Sequence, residues 1–332
     1  MNLAQALLWH GLAQTTRRSY LTGRRSYERF CAQHGFGGDP WPATSDAVCL
    51  WIGFLFHRGL SFATIKHYLA GVSSSHTDLG LSSSIPSDDR IARVLRGVKL
   101  LRGARSALPP KLPITLSILR RLHDRLDPSL PDHRMLSAAM WLGTTALLRT
   151  GEFAIADATK PDAHRLLRLS DISSANGRYF LTLRASKTDP FRVGVTIPIL
   201  SVEAVAALRR YLSRRPTQRD GPLFVWSSGR PLSRADIVAF VSHLIDAAKI
   251  PWQNAEGRRC QGISFRKGGA SSLASVGTPD RVIQLVGRWK SGVFRQYIHE
   301  SADDLSQFFR RLGDGTAPDV VTAPDGTALV RT

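Results

Sequence analysis

At 332 residues and 43% apolar content the chain suits two domains with sizeable cores rather than one small helical unit. Its 45 Lys and Arg against 26 Asp and Glu leave a net charge of +19, well above the ~2–8 that solubility alone requires, which points to a polyanionic partner, most simply nucleic acid. Three scattered cysteines (Cys31, Cys49, Cys260) argue against a disulfide framework or zinc site and for a reducing compartment, and without a run of ~20 apolar residues or a signal peptide a soluble protein is expected.

Residues 12–34 read as a helix, with Tyr20, Tyr27 and Phe30 at helical spacing. Arg17 and Arg18 recur seven residues on as Arg24 and Arg25, so both pairs fall on one side. That face suits phosphate contact, and a plain solvated face fits it equally. Residues 45–58, opened by Ser45 as cap, are apolar nearly all round and predict a buried helix. Ser61 caps the next helix, with Ile65, Leu69 and Val72 inward and Lys66 and His67 outward, before a Ser-rich turn. Ser87, Asp88 and Asp89 open a fourth, striped by Ile91, Val94, Leu95, Val98 and Leu101, with Arg90, Arg93, Arg96, Lys99 and Arg102 around the remainder. The four make a helical bundle over 1–103. Pro109, Pro110 and Pro113, with Arg105 and Lys111, mark an extended basic linker over 104–114, as a clamp around DNA needs.

The second domain, 115–312, starts with a helix over 115–126 and a very apolar one over 133–149, which ends at Arg149. Strands follow at 166–172 and 178–184, joined by a tight turn at Asn176 and Gly177. A hairpin is expected over 186–200, with Lys187 near its turn, then helices at 202–213 and 232–248. Residues 262–299 read as three short helices. One carries Arg266; one has Thr278 as cap, Pro279 and Asp280 in its first turn and Gly287 at its left-handed close; the last runs from Ser291 past Tyr297. The Gly-, Pro- and Asp-rich stretch 313–332 predicts a flexible or loosely docked tail. The fold class is mainly α with a small antiparallel β-sheet.

A guanidinium at the end of so apolar a helix needs a partner, and Glu152 lies three residues beyond Arg149. The pair is either a structural ion pair or a device in which Glu152 orients Arg149 toward a phosphate oxygen. Arg266 is followed by Gly268, Gly269 and Ala270, small residues that let another backbone come close. Lys187, in a polar turn, reads by itself as a solvated lysine, and Tyr297, between Phe294 and Ile298, as a core aromatic.

Together these residues resemble the tyrosine recombinase (phage integrase) family over nearly the whole chain. Residues 146–153 look like its first-arginine motif, 186–189 like its lysine hairpin, and Ser264-Phe265-Arg266 with the glycines like its second-arginine helix. Leu285 to Trp289 and then Tyr297 resemble its closing motif, and Arg266 and Tyr297 stand 31 positions apart, close to the family interval. Residues 15–20 and 64–69 resemble its N-terminal core-binding domain. Two positions depart. Ile263 stands where the family has His or Lys, and Arg288 where it has His or Trp, so either Arg288 or Trp289 fills that role.

The resemblance implies a four-helix, SAM-like core-binding domain joined to an α+β catalytic domain. It implies DNA cleavage and rejoining with no metal or cofactor, in which Tyr297 forms a covalent 3′-phosphotyrosine. Arg149, Arg266 and Arg288 or Trp289 would stabilise the phosphate, with Glu152 in support and Lys187 as general acid to the leaving 5′ oxygen. Arg17, Arg18, Arg24, Arg25, Lys66, Arg93, Arg105 and Lys111 are the expected DNA-binding residues. The implied partners are duplex DNA and three further copies, a tetramer on two sites from a monomer or dimer when free. The amphipathic segment 301–312 would dock on a neighbour or on its own domain. The implied setting is a mobile element, in the bacterial cytoplasm or a nucleus. A DNA-binding descendant with impaired catalysis and a type IB topoisomerase or telomere resolvase are the alternatives.

Overall fold

The computed structural model describes residues 3–36, 38–82, 85–102, 112–156, 166–186, 189, 191–216, 220–250, 261–298, 320–322 and 328–330. Lys187, Arg105 and Lys111, most of the expected linker and the segment 301–312 lie outside the described residues. The chain divides into two compact units, Met1–Leu108 and Pro109–Thr332. No described helix is long and apolar enough to cross a membrane.

The first unit contains α1 (Leu3–His10), α2 (Gln14–Gln33), α3 (Ser45–His57), α4 (Phe62–Leu79) and α5 (Asp89–Arg102). Helix α1 precedes the four that periodicity predicts. Tyr27 and Phe30 of α2 pack with Val48, Trp51 and Ile52 of α3, Ile65 and Val72 of α4, and Ile91 of α5. The cap of α3 is Thr44 rather than Ser45, since the Thr44 side chain accepts from Ala47 N. Ser61 caps α4 as expected. Helix α4 runs straight through the expected Ser-rich turn, because Ser75 donates back to Gly71 O (2.9 Å) and so stays satisfied inside a helix. It stops at Gly80, which takes φ 70°. The stripe of α5 ends at Val98; Leu101 is 78% exposed.

Helices α2 and α4 cross at two glycines. A Cβ built on Gly23 would lie 2.5 Å from Tyr68 O, and one on Gly71 would lie 2.5 Å from Tyr20 O, so each glycine faces the other helix's backbone. Backbone cannot move aside as a side-chain end can. Gly23→Ala is therefore expected to destabilise the unit by roughly 1–2 kcal/mol despite alanine's better helix propensity. Gly97→Ala, where the Cβ meets open space, should stabilise it by up to ~1 kcal/mol. Urea denaturation of the two variants checks the opposite signs.

The second unit is built on α7 (Pro131–Thr145), whose Met135, Leu136, Met140 and Leu142 are fully buried in a core shared with Leu208, Val241 and Phe265. Around it lie α6 (Leu116–His123), the one-turn α8 (Thr150–Phe153), α9 (Val202–Leu212), α10 (Arg234–Ala247), α11 (Ser264–Ser275) and α12 (Asp280–Gly287). Strands β1 (Ile172–Ala175), β2 (Arg178–Leu183) and β3 (Val195–Ile199) form an antiparallel sheet in that order. Asn176 and Gly177 both take positive φ (50° and 74°), as the tight turn between β1 and β2 requires.

Two sequence expectations change here. The strand predicted over 166–172 begins only at Ile172, because Leu169–Asp171 is a 3-10 turn. The Asp171 carboxylate pins it, accepting from Arg168 N (2.7 Å) and Arg184 Nη2 (2.9 Å). The stretch 186–200 is not a hairpin by itself. It supplies β3, which folds back on β2 from Leu183↔Val195 to Tyr179↔Ile199. Within 313–332 the described residues form a short antiparallel ladder of β4 (Val320–Thr322) and β5 (Ala328–Val330).

Candidate active site

Helix α7 stops at Thr145, and Leu147 takes φ 47°, a left-handed conformation that costs a branched residue roughly 1–2 kcal/mol. The reversal changes the role of Arg149, which precedes α8 as its N-cap instead of ending α7. Glu152, one turn on, accepts from Arg149 N (2.8 Å) and from Arg149 Nη1 (3.0 Å).

Helix α11 is drawn against this turn by its glycines. Gly268 faces the backbone of Ile114 and Gly269 the carbonyl of Thr144, with no room for a Cβ at either. Arg266 is thereby held beside Leu147. Thr278 does not cap α12, whose N-cap is Pro279 with no side-chain hydrogen bond. Nor is Gly287 its left-handed residue: Arg288 takes that conformation, at φ 59°. Gly287 instead leaves space for the Trp289 ring, which lies where a Cβ would stand.

Arg266 is 1% exposed. Its Nη1 donates to Leu147 O and its Nη2 to Gly287 O. The Trp289 ring covers the guanidinium at 4.1 Å from its centroid, the Tyr297 ring lies at 5.7 Å, and the two rings are 5.1 Å apart. Arg288 Nη2 donates to Leu147 O (3.1 Å) and Glu152 Oε2 (3.0 Å). Glu152 thus binds Arg149 and Arg288, while the Leu147 carbonyl binds Arg266 and Arg288.

One carboxylate pairs with two of the three guanidinium groups, Arg149 and Arg288, and among the described residues Arg266 has no ion-pair partner. Burial, reinforced by Arg149 and Arg288, pulls Arg266 down to about 9, which leaves it charged at neutral pH. Burial also lowers Arg288, and Glu152 offsets part of that. Among the described residues, the Nε of Arg266 and the Nε and Nη1 of Arg288 are buried without a hydrogen-bond partner. A cluster with excess positive charge and unused donors is built for an anion.

Tyr297 closes a 3-10 helix, Gly292–Tyr297, whose Phe294 is buried against Ala270 and Ile283. The tyrosine is half-buried, and Ser271 Oγ donates to its backbone carbonyl at 3.4 Å. Arg149, Glu152, Arg266, Arg288, Trp289 and Tyr297, spread over some 150 residues of sequence, therefore converge. Arg288 and Trp289 are both present, one among the cations and the other stacked on Arg266. Lys187 lies outside the described residues. Ile263, just before α11, is half-buried and offers no proton. Sequence reasoning missed the Leu147 carbonyl; a backbone oxygen shared by two arginines has no residue-type signature.

In the first unit Arg18, Arg25, Lys66 and Arg93 are exposed. Arg17 is half-buried and lines, with Arg18 and Arg24, a groove of about 310 Å³ against Gly71, Ser74 and Asp78. Arg24 is less free than the periodicity implies. It pairs with Glu28 at 2.7 Å and stacks on Trp41 at 5.5 Å, which gives it a structural task.

Comparison with known structures gives the same architecture. The chain is similar to lambda integrase, solved as a dimer bound to a COC′ core site, with TM-score 0.58, 16% identity, 88% of this chain and 91% of that one covered. It is similar to the XerH site-specific recombinase in a post-cleavage complex with a palindromic difH substrate, with TM-score 0.61, 14% identity and coverage of 90% and 79%. A third likeness is to the Tn1549 transposon integrase in complex with transposon right end DNA, with TM-score 0.58, 17% identity and coverage of 93% and 98%. No protein-family model matches the sequence, and no curated protein matches it. The mainly helical architecture with its small sheet is the fold of these chains.

Proposed function

With that shared fold as premise, we propose that the chain is a tyrosine-type site-specific DNA recombinase. The observation that carries the reading is the convergence of Arg149, Arg266 and Arg288 around Glu152, with the Tyr297 ring against Arg266. A DNA phosphodiester meets the need of this pocket for negative charge. In the proposed step Tyr297 Oη bonds to phosphorus as the bond to the 5′ oxygen breaks, leaving a 3′-phosphotyrosine and a 5′-hydroxyl. Lys187 is proposed to protonate that oxygen. Leu147 O now holds donors of Arg266 and Arg288, and a non-bridging oxygen would take those donors in its place. A 5′-hydroxyl from another strand then reverses the step, so the bond energy is kept in the phosphotyrosine and ATP is not needed.

Exchange between duplexes requires two DNA sites and, in this reading, four copies of the chain. Arg18, Arg25, Lys66 and Arg93 add phosphate contacts that carry affinity without reading sequence. The likeness to a transposon integrase supports the narrower form, an enzyme serving a mobile element.

Ile263 favours one competing reading, a DNA-binding protein that no longer cleaves. A suicide duplex, nicked so that the 5′ fragment diffuses away, separates the two. The parent chain should become covalently attached to DNA, and Tyr297→Phe should give no adduct while binding the same duplex within about threefold, since phosphate contacts dominate affinity. Tight binding by the parent with no adduct would establish the competing reading.

A further inference from the structure

A fourth guanidinium lies against the turn that carries Arg149 and Glu152. A Cβ built on Gly151 would stand 2.4 Å from Arg234 Nη2, 3.5 Å from its Cζ and 3.8 Å from its Nε. The fork of Arg234 therefore occupies the place that a side chain at 151 would fill. Thr150 and Glu152, on either side of Gly151, are buried, whereas Gly151 is half-buried and Arg234 exposed. Backbone fixes the approach. Ile155 N donates to Leu232 O (2.9 Å) and Arg234 N donates to Ile155 O (2.9 Å), which ties the chain just after α8 to the first residue of α10.

The charge of Arg234 is not spent within the described residues. Asp236, two positions on, already accepts from Arg230 Nη1 (2.7 Å), Ser233 N (3.0 Å) and Trp226 Nε1 (3.3 Å). Among the described residues no carboxylate pairs with Arg234, and its side chain makes no hydrogen bond. Of the three clustered arginines, Arg149 is the one open to solvent, its side chain 26% exposed against 9% for Arg288. Arg234 thus stands two residues from Arg149, on the side from which a strand would enter. A guanidinium laid against its own protein's backbone is placed to meet a phosphate at the surface, not to reach a base edge inside a groove. The planar fork suits that ligand. Successive phosphates of one strand advance by only ~3.4 Å along the helix axis, so a cluster that holds one brings the next close.

We infer that Arg234 holds the phosphate next along the strand to the one held by Arg149, Arg266 and Arg288, and that Gly151 leaves the space from which it does so. The inference rests on the proposed strand-cleavage reading for the identity of the ligand. One held phosphate fixes a point; two neighbouring ones also fix the direction of the strand. With Arg234 in place the strand cannot swing about the cluster, so the line from Tyr297 Oη to phosphorus is kept. Arg234 itself moves no proton and touches no reacting atom.

The test uses full-length Tyr297→Phe protein, so that no chemistry intervenes, and a duplex that it selects from a randomised pool. Each central phosphate is replaced in turn by an uncharged methylphosphonate, and affinity is measured. The phosphate held by the cluster is the one whose replacement no longer matters once Arg266→Ala is added. At a phosphate adjacent to it on the same strand, replacement should weaken binding about 5-fold, and with Arg234→Ala added the same replacement should change affinity by less than ~1.5-fold. Arg234→Ala alone should cost about 5-fold and flatten the slope of log affinity against log salt by ~1. Gly151→Ala displaces only the far end of a flexible side chain, so it should keep the melting temperature yet lose the same coupling. Coupling of Arg234 to no phosphate, or only to one not adjacent to the Arg266 phosphate, overturns the inference; coupling retained in Gly151→Ala overturns the role given to Gly151. The chain with Tyr297 intact is then given a nicked form of the same duplex. An adduct without Arg234 coupling sinks the phosphate contact alone, whereas coupling without an adduct supports the contact and sinks the strand-cleavage reading.

Discussion

Arg266→Ala is expected to lower the single-turnover rate of protein–DNA adduct formation by about 10³-fold or more, since loss of even one preorganised donor at a developing oxyanion costs 10²–10³. Arg266 is more than one donor. It is a buried cation at the centre of the pocket, held by the Leu147 and Gly287 carbonyls and stacked under Trp289 with the Tyr297 ring close by. Arg266→Lys should not restore the rate, because an ammonium cannot span two carbonyls while presenting a flat face to an indole. Affinity for duplex DNA should fall less than about tenfold, since it is spread over many phosphate contacts. An Arg266→Ala protein whose adduct forms within tenfold of the parent rate would show that the phosphate sits elsewhere.

Glu152→Ala should have the largest effect on stability. The 3% exposed Glu152 carboxylate is bonded to Arg149 and Arg288, the latter itself 9% exposed. Removing one partner of a buried ion pair costs roughly 3–5 kcal/mol because the other charge remains, and here two charges remain, with Arg266 alongside. The bond from Arg149 N that starts α8 is lost as well. Glu152→Gln keeps the shape and one acceptor, so its loss should be smaller. Phosphate can replace part of the missing negative charge. Duplex DNA should therefore raise the melting temperature of Glu152→Gln by more than that of the parent. Thermal melts with and without DNA measure both effects. A Glu152→Ala protein as stable as the parent would mean that the arginines are neutralised by something other than this carboxylate.

Much of the pocket is legible because buried charge is rare enough to stand out in a sequence. Arg149 with Glu152 three residues on, and Arg266 before two glycines, mark themselves in this way. The glycines do what small residues predict: Gly268 and Gly269 bring α11 against the backbones of Ile114 and Thr144. Errors gather where a backbone turns. Ser45, Thr278 and Gly287 all stand where caps occur, but capping depends on the φ and ψ adopted nearby, and those come from packing. Helix α7 stops early because Leu147 turns left-handed with its side chain fully buried. Leucine has no local reason to do so.

The sequence by itself determined a basic, two-part, mainly helical chain and the helices whose apolar stripes face a core. Those follow from composition and from periodicity, which are local. Tertiary structure alone decided that Arg149 begins a helix, that Arg288 joins the cations while Trp289 stacks on Arg266, and that the Leu147 carbonyl serves two guanidinium groups. The contacts of Leu147 with Arg266 and of Arg288 with Glu152 join segments more than a hundred residues apart. They exist only once the core of the second unit has brought α7, α11 and α12 together, and no local preference of the chain encodes them.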